Sequence, residues 1–430
     1  MNYSNLSKLA AAVVVVSLLF VRPGAAQAGG QGFDKNVTEG TSTQSDLGLG
    51  KYASFPFHVS VSVRGGYDDN VNLSPFDKQE SFFTNAAIGL TYDFGSPRTR
   101  LSLNTGVGVT YYLDRGETSD GEFDDHDLNV FLGFNITHKA TPRLTLAAAV
   151  YASYQSQPDF QTFNTSTISI ARQSHDFFYS NNRFSVGYAW TPRFSTVSSY
   201  TLGMVNYDDD LISDFEDRFE HIIGNEFRFL VLPTTTAVVD YRFGIVDYTE
   251  NEDRSSTSHF LLAGFDHSFS PRFNMSARAG VEFRSLDNDD DDDAENDGDR
   301  THPYFEGTLN YALAQQTSLA WTNRYSLEQP DIPESFSRST YRTALAVRHN
   351  FTARISAALN VAYQHDDNDG NFAIEAFTED SFDISLSVRY AINRNWSIDA
   401  GYLHTEVISD EALFREFSRN RYYLGATFAF

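Results

Sequence analysis

Cysteine is absent from the 430 residues, which excludes a disulfide framework, a thiolate metal site and a thiol nucleophile. Basic residues are few: 32 Lys and Arg stand against 57 Asp and Glu, a net charge of −25, so no basic stripe is available for nucleic acid. Catalytic motifs are lacking too. The histidines, among them His58, His126, His221 and His259, are dispersed, and no HExxH, GxSxG or Gly-rich phosphate loop occurs. No catalytic residue, resident metal or cofactor is therefore expected, and the chain does not read as an enzyme. The one enzymatic alternative is a Ser/His or Asp/His set at a strand end, of the kind barrel-bound hydrolases use.

Apolar runs long enough for a membrane helix are not the pattern here. The run Leu9 to Phe20 has about 12 residues, where a helical span needs roughly 20. Lys8 precedes it and Ala26-Gln27-Ala28 follows, which reads as a secretory signal cleaved after Ala28. Residues 1–28 are thus a signal peptide, and residues 29–53, rich in Gly, Ser, Thr and Asn, a flexible periplasmic tail. Residues 54–430 form the structured part.

What the chain does have is alternation. Ser270-Pro271-Arg272 signals a tight turn, after which Phe273, Met275, Ala277, Ala279, Val281 and Phe283 alternate with Asn274, Ser276, Arg278, Gly280, Glu282 and Arg284. Past Leu286 comes an acidic run to Asp299 that must stand in water. Turn, alternating strand and acidic loop then recur along the chain. Phe55, Phe57, Val59, Val61 and Val63 alternate up to Gly65-Gly66-Tyr67, and Asp68-Asp69-Asn70 opens a polar loop. Tight turns fall at Pro97-Arg98, Pro142-Arg143, Pro192-Arg193, Pro233 and Pro271-Arg272, where proline's fixed φ suits a corner and its missing N–H would break a ladder.

Strands are expected over residues 126–138, 144–155, 218–232, 237–248, 259–269, 304–313, 319–327, 341–351, 354–364, 382–392, 396–407 and 421–430, among others. A helical turn is expected between Asp410 and Phe417. The count gives about 18 strands, even in number, with both chain ends on the short-turn side. Strands of about 10–14 residues suit a tilted crossing of a bilayer, and an open edge in lipid would leave backbone groups unpaired. The fold class is therefore all-β: a closed antiparallel transmembrane β-barrel with short periplasmic turns and long acidic extracellular loops. Soluble propellers repeat at a similar length but need four strands per repeat rather than two.

Aromatic residues, 15% of the chain, gather where strands meet turns. Phe94, Trp190, Phe194, Phe269, Phe273 and Trp396 are expected to girdle one end, and Tyr67, Tyr112, Tyr207 and Tyr248 the other. The last strand alternates Tyr422, Leu424, Ala426, Phe428 to a terminal Phe430, which resembles the signal that outer-membrane insertion machinery recognises.

The intervening positions then line a lumen: Arg64, Glu220, Glu226, Arg228, Asp240, Arg242, Arg278, Glu282, Arg284, Arg342, Arg348, Asp383, Arg389 and Asp399. Arginine outnumbers acid there, so the set points to a wet pore with fixed charge of both signs. The simpler reading of any single residue is an ion pair that stabilises a polar interior. Asp293, Glu295, Asp297 and Gly298 faintly echo a calcium loop, as does Asp366 to Gly370, but both lack its full ligand pattern.

Over the whole mature chain, Gly65-Gly66-Tyr67-Asp68-Asp69-Asn70-Val71 followed by hairpins of one design to the terminal Phe resembles the β-barrel porin 2 family found with exopolysaccharide gene clusters. The resemblance implies an outer-membrane porin-like protein with a link to polysaccharide export, and it brings no site residues with it. Three functions follow as expectations: a porin passing water-soluble solutes, a dedicated polysaccharide conduit with periplasmic partners, or a plugged barrel serving as a structural or adhesive surface protein. The expected partners are outer-membrane lipid, the insertion machinery and polysaccharide export components.

Overall fold

A computed structural model describes residues 57–115, 125–157, 175–286, 299–314, 316–332, 335, 337–369, 375–410 and 415–430. The signal sequence, the tail, the acid run 287–298, Gly370 of the second acidic loop and residues 411–414 of the expected helical turn lie outside these residues.

Among the described residues the alternation becomes eighteen strands. They are β1 (Phe57–Asp68), β2 (Ser81–Gly95), β3 (Thr99–Tyr112), β4 (His126–Lys139), β5 (Leu144–Gln155) and β6 (Phe177–Ala189), then β7 (Phe194–Tyr207), β8 (Arg218–Leu232), β9 (Thr235–Tyr248), β10 (Ser256–Ser270), β11 (Phe273–Leu286) and β12 (Asp299–Ala314). The last six are β13 (Thr317–Glu328), β14 (Arg338–Asn350), β15 (Ile355–Asn368), β16 (Phe377–Ala391), β17 (Trp396–Ser409) and β18 (Phe417–Ala429). Each pairs antiparallel with its neighbours in sequence, and β1 pairs with β18 from Ser60↔Ala429 to Asp68↔Arg421. Backbone bonds between Val59 and Phe430, 3.1 and 2.9 Å, complete the seam at the chain end. The ring is closed, so none of the described strands leaves an edge to lipid. Among the described residues no helix is long and apolar enough to cross a membrane.

At Gly66 the seam needs its glycine: a Cβ there would run into the Tyr422 carbonyl oxygen and the Phe83 ring. The outer face carries the apolar half of each alternation. Val61, Val63, Val107, Val109, Ile223, Phe227 and Leu261 are exposed, while their sequence neighbours turn inward.

Three expectations need correction. Several strands run further toward the long loops than their apolar alternation extends. β12 starts at Asp299 rather than Tyr304, β14 at Arg338 rather than Tyr341, β16 at Phe377 rather than Phe382 and β18 at Phe417 rather than Arg421, and β15 continues to Asn368 rather than Gln364. These extensions are polar on most positions, so hydrophobic periodicity ends before the ladder does. Second, Tyr112, Tyr207 and Tyr248 are not lipid-facing: they are 0%, 3% and 2% exposed. Strand parity decides this, since Val107, Val109 and Tyr111 share the outer face of β3 and Tyr112 must take the inner one. Tyr67 keeps to the outer side, against exposed Phe82 at 5.3 Å between ring centres.

Third, the loop after β7 holds a helix, α1 (Asp210–Glu216), where only an acidic loop was expected. Asp209 caps it, accepting from the backbone N–H groups of Leu211 and Ile212. Ile212 then packs on Phe177, Val205 and Tyr207. The cap residue and the Leu-Ile pair behind it were the missed signal.

Candidate functional site: the charged interior

The sheet is one layer thick, so a charged side chain with almost no exposed surface can be covered only from the inner side. Along β8 to β12, Glu226, Arg228, Asp240, Arg242 and Arg278 fall into two clusters of contacts. Arg228 Nη1 lies 2.7 Å from Glu226 and its Nη2 pairs with Asp266, which also meets Arg278 at 2.9 Å. Arg242 bonds Asp240 on its own strand and reaches Glu306 on β12, both at 2.7 Å, with the Tyr304 hydroxyl at 3.1 Å. On the seam side, Arg64 meets Asp399 at 2.8 Å and sits over the Tyr423 ring. Arg389 donates to Ser397, and Asp383 accepts from Thr405. Arg348, at the short-turn end of β14, is exposed.

A second, denser layer lies toward the long loops. Glu328, 1% exposed, is met by Arg324, Arg338 and Arg342 from β13 and β14. Arg342 also donates to Gln364, and Arg338 to Asp331 at 2.9 Å. Next to them Arg284 bonds Glu282 at 2.9 Å and the Leu327 carbonyl at 3.2 Å. Arg218, on β8, is held between Glu216 at 2.7 Å and Glu220 at 3.1 Å. Burial pushes the Glu216 carboxyl above the usual carboxylate range despite that guanidinium partner.

Two arginines from loops tie this layer together. Arg254 donates to the carbonyls of Phe215, Pro330 and Ile332 at 2.6, 2.8 and 3.2 Å, and lies over the Tyr248 ring. Arg415 bonds Asp331 at 2.6 Å and Glu379 at 2.9 Å. Burial alone would pull the Arg415 guanidinium down, but Asp331 and Glu379 outweigh it and hold it above its ordinary value. Between them the segment after β13 folds inward: Gln329, Asp331 and Ile332 are 4–5% exposed. Near the seam, Arg419 on β18 bonds Asp68 on β1 and reaches Gln157, beyond β5, at 2.7 Å.

The residues expected from sequence thus meet partners that the sequence reading did not single out. Glu306, Glu328, Asp331 and Glu379 offset the arginine excess of the sequence set. Continuing the parity of Arg342 back to Arg338, or of Arg324 on to Glu328, would have reached part of this layer. The contacts of Arg254, Arg415 and Arg419 join segments far apart in sequence, and no local signal marks them. Among the described residues no group of three His, Asp or Glu is placed to hold a metal ion.

A family model described as "Putative beta-barrel porin 2" matches residues 49–430. The chain belongs to the β-barrel porin 2 family. Membership makes it a bacterial outer-membrane β-barrel with a porin role, in a family of transport proteins rather than enzymes. No curated protein matches this porin 2 chain. Solved structures that it resembles include OpdK of Pseudomonas aeruginosa with vanillate (10% identity, TM-score 0.43), covering 87% of this chain and 99% of that one. Acinetobacter baumannii OccAB3 (12%, TM-score 0.41) is covered to the same extent. OccK9 (OpdG) of P. aeruginosa (11%, TM-score 0.43) covers 87% of this chain, which covers 98% of it.

Proposed function

We propose that this barrel passes small water-soluble solutes across the outer membrane through its charged interior, with Arg64, Glu226, Arg228, Asp240, Arg242, Arg278, Asp383, Arg389 and Asp399 as its wall. The observation that carries this reading is the ladder of paired charges from β8 to β12 inside a closed ring. A dry packed core would not be built from ion pairs, whose desolvation costs several kcal/mol per ion, at the order of magnitude usual for buried charges. Paired fixed charge of both signs instead suits a hydrated passage that sorts solutes mainly by size. The inward segment Gln329 to Ile332, held by Arg254 and Arg415, narrows the long-loop mouth.

The same inward segment favours a second reading, a barrel closed at that mouth and serving as a surface scaffold. Liposome swelling separates the two. Proteoliposomes of the mature protein diluted into isosmotic monosaccharide should swell, and more slowly in larger oligosaccharides. Folded protein that gives no swelling above empty liposomes would favour the scaffold.

The finer expectations stand as parts of this proposal. An anionic polysaccharide as the natural solute should enter and reversibly block the open-channel current, whereas a neutral dextran of equal size should not. Removal of residues 1–28 is checked by N-terminal sequencing of the membrane-inserted protein, which should begin at Gly29. Recognition by the insertion machinery through the last strand should fail when Phe430 is deleted, leaving unfolded protein in the periplasm.

A further inference from the structure

The short-turn end carries a charge opposite to that of the whole chain. In a protein of net charge −25, six of the short turns each place an arginine at the corner: Arg98, Arg143, Arg193, Arg272, Arg354 and Arg394. All six are exposed. Lys139 adds a further cation beside Arg98, to whose carbonyl its backbone N–H donates at 2.7 Å. The turn segments 95–99, 139–144, 189–194, 232–235, 270–273, 314–317, 350–355 and 391–396 contain no Asp or Glu. The acidic residues of the connections lie at the opposite end, as in Asp208-Asp209-Asp210 and Glu250 to Asp253.

A second, independent pattern lies at the same level on the lipid-facing side. Thr99 of β3 stands opposite His138 of β4, Thr235 of β9 opposite His267 of β10, and Thr317 of β13 opposite His349 of β14. In each pair the threonine hydroxyl is hydrogen-bonded to histidine Nδ1 at 2.8 Å. The three pairs hold equivalent places, at the first turn-proximal residue of one strand and near the end of the next. Strand parity sets them on the outer face: His267 alternates with exposed Phe265 and Phe269, and His349 precedes exposed Phe351 by two residues. The rings touch these aromatics edge-on, at 4.3 Å for His267 and Phe269 and 4.5 Å for His349 and Phe351. With Nδ1 engaged, Nε2 is the ring nitrogen left for an outside partner.

Polar rings fixed beside an interfacial aromatic girdle, under a rim of guanidinium groups, match one neighbour in chemistry: a lipid phosphate. We propose that the short-turn rim binds anionic glycerophospholipids of the leaflet it faces, the turn arginines holding the phosphate and the outward Thr–His pairs anchoring the headgroup at the girdle. Guanidinium groups suit phosphate oxygens through paired N–H donors, and each basic residue near an anionic surface adds appreciably to binding. The proposal concerns the outside of the barrel and is independent of whether the lumen conducts.

Native mass spectrometry of the mature protein, released from mixed phosphatidylglycerol and phosphatidylcholine micelles, tests it. The wild type should retain phosphatidylglycerol in preference, and the preference should fall with salt. A variant with Arg98→Gln, Arg143→Gln, Arg193→Gln and Arg272→Gln should lose at least about tenfold of that preference. Should that variant not fold, His267→Phe with His349→Phe, which leaves every turn unaltered, should reduce retention severalfold. Arg300→Gln, at the long-loop end beside Asp369, should retain lipid as the wild type does. Equal retention of the two lipids by the wild type, or folded turn and histidine variants that keep the full preference, would overturn the proposal; in that case the rim is left to a soluble acidic partner.

Discussion

Arg254 lies in a loop, yet it donates to carbonyls from α1's last turn and from the segment after β13, so one side chain joins connections that are distant in sequence. Replacing it leaves three carbonyls, two of them buried, short of a charged donor, each such bond being worth about 1.5–3 kcal/mol. Arg254→Ala should therefore release the inward segment, lower the unfolding midpoint and raise single-channel conductance. A loss of stability with unchanged conductance would separate the clamp from the passage. Glu328 is the complementary case, because Arg324, Arg338 and Arg342 all converge on its carboxylate. Glu328→Gln removes the shared counter-charge, and a broken buried network of this kind costs about 3–5 kcal/mol. The variant should fold less stably and show a reversal potential shifted toward anions; a shift toward cations would contradict the assignment. Neither residue stood out in the sequence, since a lone Glu at a strand end or an Arg in a loop carries no pattern until closure brings its partners near.

At the scale of elements, legibility followed the source of each signal. β5 and β8 have the ends that alternation assigns, Leu144 to Gln155 and Arg218 to Leu232, because an apolar face runs their full length and β8 stops at Pro233. The turn-proximal strand ends were readable for the same reason. The loop-proximal ends were not: Asp299 to Pro303 and Arg338 to Thr340 extend the ladder with few apolar residues, so hydrogen bonding continues where periodicity has vanished. Tyr112 and Tyr207 lie near strand ends, a place typical of a lipid-facing girdle, yet parity counted from exposed Val109 sets Tyr112 inside. The seam makes a demand of its own. Gly66→Val would drive a branched side chain against the Tyr422 carbonyl and the Phe83 ring where β1 meets β18. The expected result is a barrel that fails to close, visible as loss of the heat-dependent mobility shift on electrophoresis. A variant that keeps the full shift would show that the seam relaxes around the new side chain.

The whole molecule is polar along its axis: cationic turns at one end, a mat of neutralised ion pairs toward the other, and acidic connections beyond. Closure and strand number were legible because they depend on a repeat that the chain states many times. The interior was legible only as a list of inward charges, because which carboxylate meets which guanidinium depends on register and curvature around eighteen strands. Those pairings matter to transport, since a matched wall should select weakly by charge whereas bare arginines would select strongly for anions. Planar-bilayer recording on the mature protein tests the central claim most directly, by single-channel current under a salt gradient with the wild type and Arg254→Ala side by side. Stepwise, ohmic openings with weak ion selectivity are expected, with a larger step in the variant. Folded wild-type protein that yields no steps, with the variant equally silent, would contradict the claim.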